Sequence, residues 1–125
     1  MSFISGKETK PEITVRKYLF KQGFRYRKNV STLPSKPDIV LPRYKTIILV
    51  HGCFWHGHKN CKASKLPISN KKYWENKISG NIERDLKNIY KLKRLGWKII
   101  IVWECKLRNE KEREKTFEKL LNKII

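Results

Sequence analysis

The chain has 125 residues, 30 of them Lys or Arg and 11 Asp or Glu, for a formal net charge of +19 and a pI near 10.1. Hydrophobic residues make up 39% and aromatic residues 11%, which excludes a disordered basic tail and suffices for one domain, residues 1–125, with a core of its own. No apolar run approaches the ~20 residues of a membrane span, and Met1-Ser-Phe-Ile-Ser-Gly lacks the apolar stretch of a secretory signal, so a cytoplasmic protein without a membrane partner is expected.

Thr9-Lys-Pro11-Glu12 reads as a helix start, with Pro early and an acid in the first turn. Ile13, Val15, Leu19 and Phe20 give that helix an apolar side, and Gly23 stops it. Phe24 to Val30 alternates aromatic or apolar residues with Arg and Lys, which predicts a half-buried strand. A turn with Pro34 follows, then a short strand from Pro37 to Leu41 and a second turn, Pro42-Arg-Tyr-Lys45. Thr46 to Val50 is β-branched and apolar, as in a strand buried on both faces. A loop begins at His51 and the chain stays irregular to Ser69. Asn70 to Leu95 is predicted helical, with Ile82, Leu86, Ile89 and Leu92 at helical spacing and Gly96 as its stop. Trp97 to Trp103 is another buried strand, and Glu110 to Leu121 a charged helix with Phe117, Leu120 and Leu121 on its sparse apolar side. The order α-β-β-β-α-β-α indicates an α/β fold with a mixed sheet flanked by helices, in which Thr46 to Trp103 forms a parallel crossover.

Charge is distributed unevenly along this chain. Residues 1–74 hold 16 Lys or Arg and three acids, Glu8, Glu12 and Asp38, whereas residues 75–125 hold 14 bases and eight acids. The first part is the better polyanion face, nucleic acid being the expected partner. Its few acids are either local ion pairs or functional groups.

All three His and two of the three Cys fall between His51 and Cys61; the third is Cys105. Three Cys without a secretory signal argue against a disulfide framework. Cys53, His58, Cys61 and Cys105 make a Cys₃His set suited to a tetrahedral structural zinc, which would tie a loop of little apolar content to the sheet. Free thiols beside a solvent His are the alternative. His51 and His56 are then left over near the same strand end, as hydrogen-bonded loop residues or as a general base and acid near neutral pH. Asp38, at a strand edge among Lys36, Arg43 and Lys45, is a hard ligand suited to Mg²⁺, and Glu12 on the first helix is placed to face the same region.

Lys36-Pro-Asp-Ile-Val-Leu-Pro42, His51-Gly-Cys-Phe-Trp-His56 and Val102-Trp-Glu-Cys105 resemble the very short patch repair (Vsr) endonuclease family. Thr9-Lys-Pro-Glu12, Tyr73-Trp74, Asn81-Ile-Glu-Arg-Asp85 and Gly96-Trp97 extend the resemblance from about Lys7 to Leu107. It implies a PD-(D/E)XK restriction-endonuclease-like core and a magnesium-dependent nick 5′ to the thymine of a T:G mismatch, the lesion left when 5-methylcytosine deaminates. It makes Asp38 the magnesium-binding carboxylate, the Val50 backbone carbonyl the second protein ligand and His56 the catalytic histidine, with His51 and Glu12 in support. Cys53, His58, Cys61 and Cys105 match structural zinc ligands. Phe54, Trp55 and Trp74 match aromatics that wedge into the duplex, and Lys77 and Asn81 match residues near the mismatched bases. By family analogy a MutL-type repair protein is a further partner, the protein acts as a monomer, and it resides in the cytoplasm with the nucleoid. One departure stands out: the strand Thr46 to Val50 has neither the acid nor the Lys of the usual nuclease core, so a two-carboxylate mechanism is not expected.

Aromatic wedges suit a T:G wobble, because unstacking costs a few kcal/mol and least at a mismatched pair. Core packing is the competing role for Phe54, Trp55 and Trp74. Two other readings are open: a non-catalytic, zinc-stabilised nucleic-acid-binding module, which has no use for Asp38 with His56, and a related endonuclease of different specificity, which has less use for wedges.

Overall fold

The computed structural model describes residues 10–28, 30–34, 37 and 39–125. Its elements are α1 (Lys10–Lys21), β1 (Ile39–Leu41), β2 (Thr46–His51), α2 (Lys71–Arg94), β3 (Lys98–Trp103) and α3 (Glu110–Ile124). The strands form one sheet in the order β1-β2-β3, with β1 antiparallel and β3 parallel to β2. This is the mixed sheet that the pattern of elements implies.

Alternation along the strands gives the sheet two apolar faces. Ile39, Leu41, Ile48, Ile100 and Val102 pack with Val15 and Leu19 of α1 and with Phe117, Leu120 and Ile124 of α3. Val40, Ile47 and Ile99 face the other way and meet Leu92 of α2. The helices therefore cover both faces, and each fully buried Leu or Ile contributes about 1.5–3 kcal/mol. Asn109 caps α3, accepting the Glu112 backbone N–H at 2.8 Å, and Glu110 and Glu112 complement the helix dipole. At the end of α2, Gly96 adopts φ +96°, and the Trp97 N–H returns to the Leu92 carbonyl at 3.2 Å. That closure turns the chain directly into β3.

Four expectations change. Among the described residues Phe24 to Val30 is not a continuous strand: one bridge joins Arg27 to Val40, and the Val30 N–H reaches the Pro37 carbonyl at 3.2 Å. β1 itself is three residues long, and Phe24 is drawn into the core. The helical stripe on α2 is rotated by about one position. Leu86 is 63% exposed, and the inward line runs through Ile78, Asp85, Asn88 and Leu92. β3 is half-buried rather than fully buried, because it is the sheet edge among the described residues. α3 continues to Ile124, which is buried against α1 and the sheet. Among the described residues no helix is long and apolar enough to cross a membrane.

Candidate active site and metal centre

The parallel register assembles the site. His51 ends β2 opposite Trp103, the end of β3. Two residues further along each strand stand Cys53 and Cys105. The cysteines thus meet through strand pairing although they lie far apart in sequence, and the loop returns His58 and Cys61 to the same point. Ligand atoms of Cys53, His58, Cys61 and Cys105 all lie within 4.8 Å of one another. Cys105 Sγ is 3.6 Å from His58 Nδ1. A tetrahedral zinc with Zn–S of ~2.3 Å and Zn–N of ~2.05 Å would put those two atoms about 3.6 Å apart. The donors therefore fit a soft divalent metal. Burial, chiefly, pushes the Cys53 thiol up to about 12 in the metal-free protein. A cation is what would make that thiolate stable, with release of its proton.

The loop is tightly fastened. The His58 N–H donates to the Cys53 carbonyl at 3.0 Å, and the His56 N–H to Gly52 at 3.1 Å. The Ser64 hydroxyl lies 2.6 Å from the His58 carbonyl and 2.8 Å from that of Cys61, donating to one at a time. Gly57, between His56 and His58, has φ +58°; a Cβ there would come within 2.6 Å of Ile82 Cδ1 and 2.9 Å of Ile78 Cγ2. Gly57→Ala should therefore destabilise the protein by about 2–4 kcal/mol, combining left-handed backbone strain with overpacking. Urea unfolding would check this, and a loss below about 0.5 kcal/mol would contradict the contact.

Beside the cysteine cluster lies a cleft of about 200 Å³, lined by Glu12, Val50, His51, His56, Asp85 and Asn88. His56 Nδ1 is 2.6 Å from Asp85 Oδ2 on α2. A carboxylate only accepts, so His56 carries the proton on Nδ1 and its Nε2 is left as a proton acceptor. The His51 ring stacks on that of His56, with centroids 3.8 Å apart and planes 4° apart. Burial, followed by the nearby His56 and against the pull of Asp85, lowers the His51 pKa from 6.5 to about 4. His51 is therefore neutral at pH 7. Its Nδ1 is buried and has no hydrogen-bond partner among the described residues.

This shift has a consequence for stability. Between the folded value of about 4 and the unfolded value of 6.5 the unfolded chain binds more protons. The stability is fully present above that window and is lost as pH falls through it, by roughly 1.5 kcal/mol between pH 6.5 and 5. Urea unfolding of the wild type and of His51→Asn at both pH values would measure it. Equal acid sensitivity of the two would assign the loss to other groups.

Of the expected catalytic residues, Glu12, Val50, His51 and His56 share the cleft. Asp38 lies outside the described residues, while its neighbours Pro37 and Ile39 both line the cleft. Phe54, Trp55 and Trp74 come together as a triangle of edge-to-face contacts at 5.1–5.8 Å, with Trp55 51% exposed. A second groove links Glu12, Val50 and His56 to Phe54, Trp55 and Glu104. Asn81 supports this loop: its side-chain amide donates to the Trp55 carbonyl at 2.9 Å and its oxygen accepts from Arg84 at 3.1 Å. Lys77 is exposed one turn earlier on α2.

Sequence reasoning missed three residues here. Asp85 lies with Asn88 on the line between the buried Ile78 and Leu92. Trp103, expected in the core, is half-buried, with His58 stacked on its ring at 4.0 Å and His51 edge-on at 5.2 Å. It joins the metal cluster to the cleft. Glu104 follows it into the second groove; it stands within the Val102–Cys105 motif but was given no role.

The family model described as DNA mismatch endonuclease Vsr matches residues 1–63. A type II nicking enzyme of Neisseria meningitidis serogroup A, V.NmeAIP, is 50% identical over 121 residues, 97% of this chain and 86% of the relative. The DNA mismatch endonuclease Vsr of Escherichia coli K12 is 39% identical over 125 residues, covering 100% of this chain and 78% of its own. The type II nicking enzyme V.XorIIP of Xanthomonas oryzae is 42% identical over 107 residues, 86% and 78% of the two chains. The match to the Escherichia coli relative runs through both sides of the cleft, the His51–Cys61 loop and α2, and the matches together define the class as a DNA endonuclease. Within that class the chain belongs to the Vsr family of DNA mismatch endonucleases.

Proposed function

We propose that this chain nicks double-stranded DNA on the 5′ side of the thymine in a T:G mismatch left by 5-methylcytosine deamination, and so initiates very short patch repair. The observation that carries the reading is the 2.6 Å hydrogen bond from His56 Nδ1 to Asp85. It leaves Nε2 as the acceptor in a cleft close to the Phe54, Trp55 and Trp74 rings, as a base for attacking water requires. A restriction-endonuclease-like core, with a strand end presenting these groups, agrees with family membership and with the mixed sheet.

On this reading each residue takes a role suited to its chemistry. Lys and Arg side chains hold the phosphates, giving an affinity that falls steeply with salt. Phe54, Trp55 and Trp74 enter the stack at the weak pair, with Lys77 and Asn81 close to the displaced bases. His56 takes the proton of the attacking water on Nε2, while Asp85 holds the other ring proton and stabilises the charged ring. Neutral His51 packs against it and keeps its orientation. Glu12 lies across the cleft as a supporting acid. Asp38 and the Val50 carbonyl, two hard oxygen donors, suit Mg²⁺, which when bound would offset charge on the phosphate and the leaving oxygen. Cys53, His58, Cys61 and Cys105 hold zinc in a structural role. A DNA lesion is asymmetric, so a monomer suffices, working in the cytoplasm with the nucleoid and alongside a MutL-type repair protein.

Mapping the product tests this reading. A duplex with one T:G pair, labelled on either strand, should be cut with Mg²⁺ present only on the T strand and directly 5′ of the thymine. EDTA should prevent cutting. Breaks in both strands, or a cut at a fixed sequence away from the mismatch, would point to the related endonuclease of other specificity. Binding without any cut would point to the non-catalytic module.

A further inference from the structure

Among the described residues the sheet has an open edge at β3, beside a basic groove. β3 pairs only with β2 among the described residues. The Lys98 N–H donates inward to the Lys45 carbonyl at 2.8 Å. Alternation therefore turns the N–H and C=O groups of Ile99 and Ile101 outward, away from β2. Beside this edge, between β3 and α3, lies a groove of about 370 Å³. Lys106, Lys115, Lys119 and Lys123 line it, against a single acid, Glu112. None of these residues belongs to the cleft or to the cysteine cluster.

Lysines beside an open edge ordinarily guard it against pairing with another strand. Here they repel a second copy of the chain, which carries the same charge of +19. They attract an acidic strand just as strongly. DNA fits the lysines but not the edge: phosphate oxygens only accept hydrogen bonds, whereas Ile99 and Ile101 present carbonyls that need donors. We propose that this groove binds an extended acidic segment of a partner protein, which adds as a fourth strand beside β3 while its carboxylates meet Lys115 and Lys119.

The probe is a fluorescein-labelled octapeptide of alternating Glu and Val, read by fluorescence anisotropy with the full chain. An octapeptide alternating Lys and Val tests charge. One alternating Glu and Pro keeps the charge but loses half of its ladder N–H groups. The Glu-Val peptide should bind at least about tenfold more tightly than either control, and Lys115→Gln with Lys119→Gln should weaken it about fivefold or more. In the wild type, the Ile99 and Ile101 amides should exchange their hydrogens at least about tenfold more slowly with the peptide bound. Equal binding of the Glu-Pro peptide would reduce the groove to a charged patch. Unchanged exchange at those amides would place binding elsewhere and overturn the proposal without recourse to any variant. If the double substitution weakened a 20-base-pair duplex as much as the peptide, the groove would be a phosphate surface instead.

Discussion

A His56→Ala variant should nick a T:G duplex about 10³-fold more slowly than the wild type, while binding that duplex within about threefold. The expectation rests on one hydrogen bond and one free nitrogen. Asp85 fixes the ring tautomer, and Nε2 is the acceptor left in the cleft. On the proposed reading, removing the ring removes the base but none of the lysines that would hold phosphate. Asp85→Asn should cost less, about 10–100-fold, because the ring remains and only its charged partner is lost. If the two residues act as one unit, His56→Ala combined with Asp85→Asn should be no slower than His56→Ala alone. Single-turnover rates of the four proteins decide the matter. Multiplying effects would mean that Asp85 acts independently of His56, as a phosphate-repelling acid or a ligand.

The second large effect concerns the metal centre. Stripping the metal, or replacing Cys53 with Ser, should lower stability by about 5 kcal/mol or more and Tm by about 20 °C. Without a cation the buried Cys53 keeps its proton, and the loop from Gly52 to Ser64 is held by hydrogen bonds alone at its cysteine end, those of its backbone and of the Ser64 hydroxyl. Nicking should fall even where the chain stays folded, because His58 stacks on Trp103 and Trp103 meets His51. Metal analysis should find about one zinc per chain, and thermal unfolding with and without chelator would measure its contribution. A folded, metal-free protein of unchanged Tm would mean that the four residues are thiols and a histidine packed together, the alternative open from the sequence.

Much of this arrangement was legible in the sequence because it is local. Helix stops at Gly23 and Gly96, the apolar strands, and the crowding of Cys and His between His51 and Cys61 are short-range signals. Even Cys105 was recoverable, since a parallel crossover brings successive strand ends together. The His56–Asp85 pair was not, because it depends on how α2 is rotated about its axis. An i, i+4 reading placed Leu86 inward, whereas the helix buries Ile78 and Leu92 and turns Asp85 and Asn88 to the cleft between them. The Phe24–Val30 segment failed for a different reason. Its alternation is genuine, and it does lie along β1, with Arg27 bridged to Val40 and the Val30 N–H on the Pro37 carbonyl, but among the described residues these contacts stay isolated. The triangle of Phe54, Trp55 and Trp74 shows tertiary structure adding to pattern: Trp74 alone resembled a core residue, and α2 delivers it to Phe54 and Trp55.

The central claim is that this cleft cuts DNA because of a mismatch. The direct measurement is the single-turnover nicking rate on three labelled duplexes that differ at one position, T:G, T:A or C:G, in Mg²⁺. The T:G duplex should be cut at least about 100-fold faster than either paired duplex, a difference of about 2.7 kcal/mol in the transition state. Equal rates on all three would contradict the account.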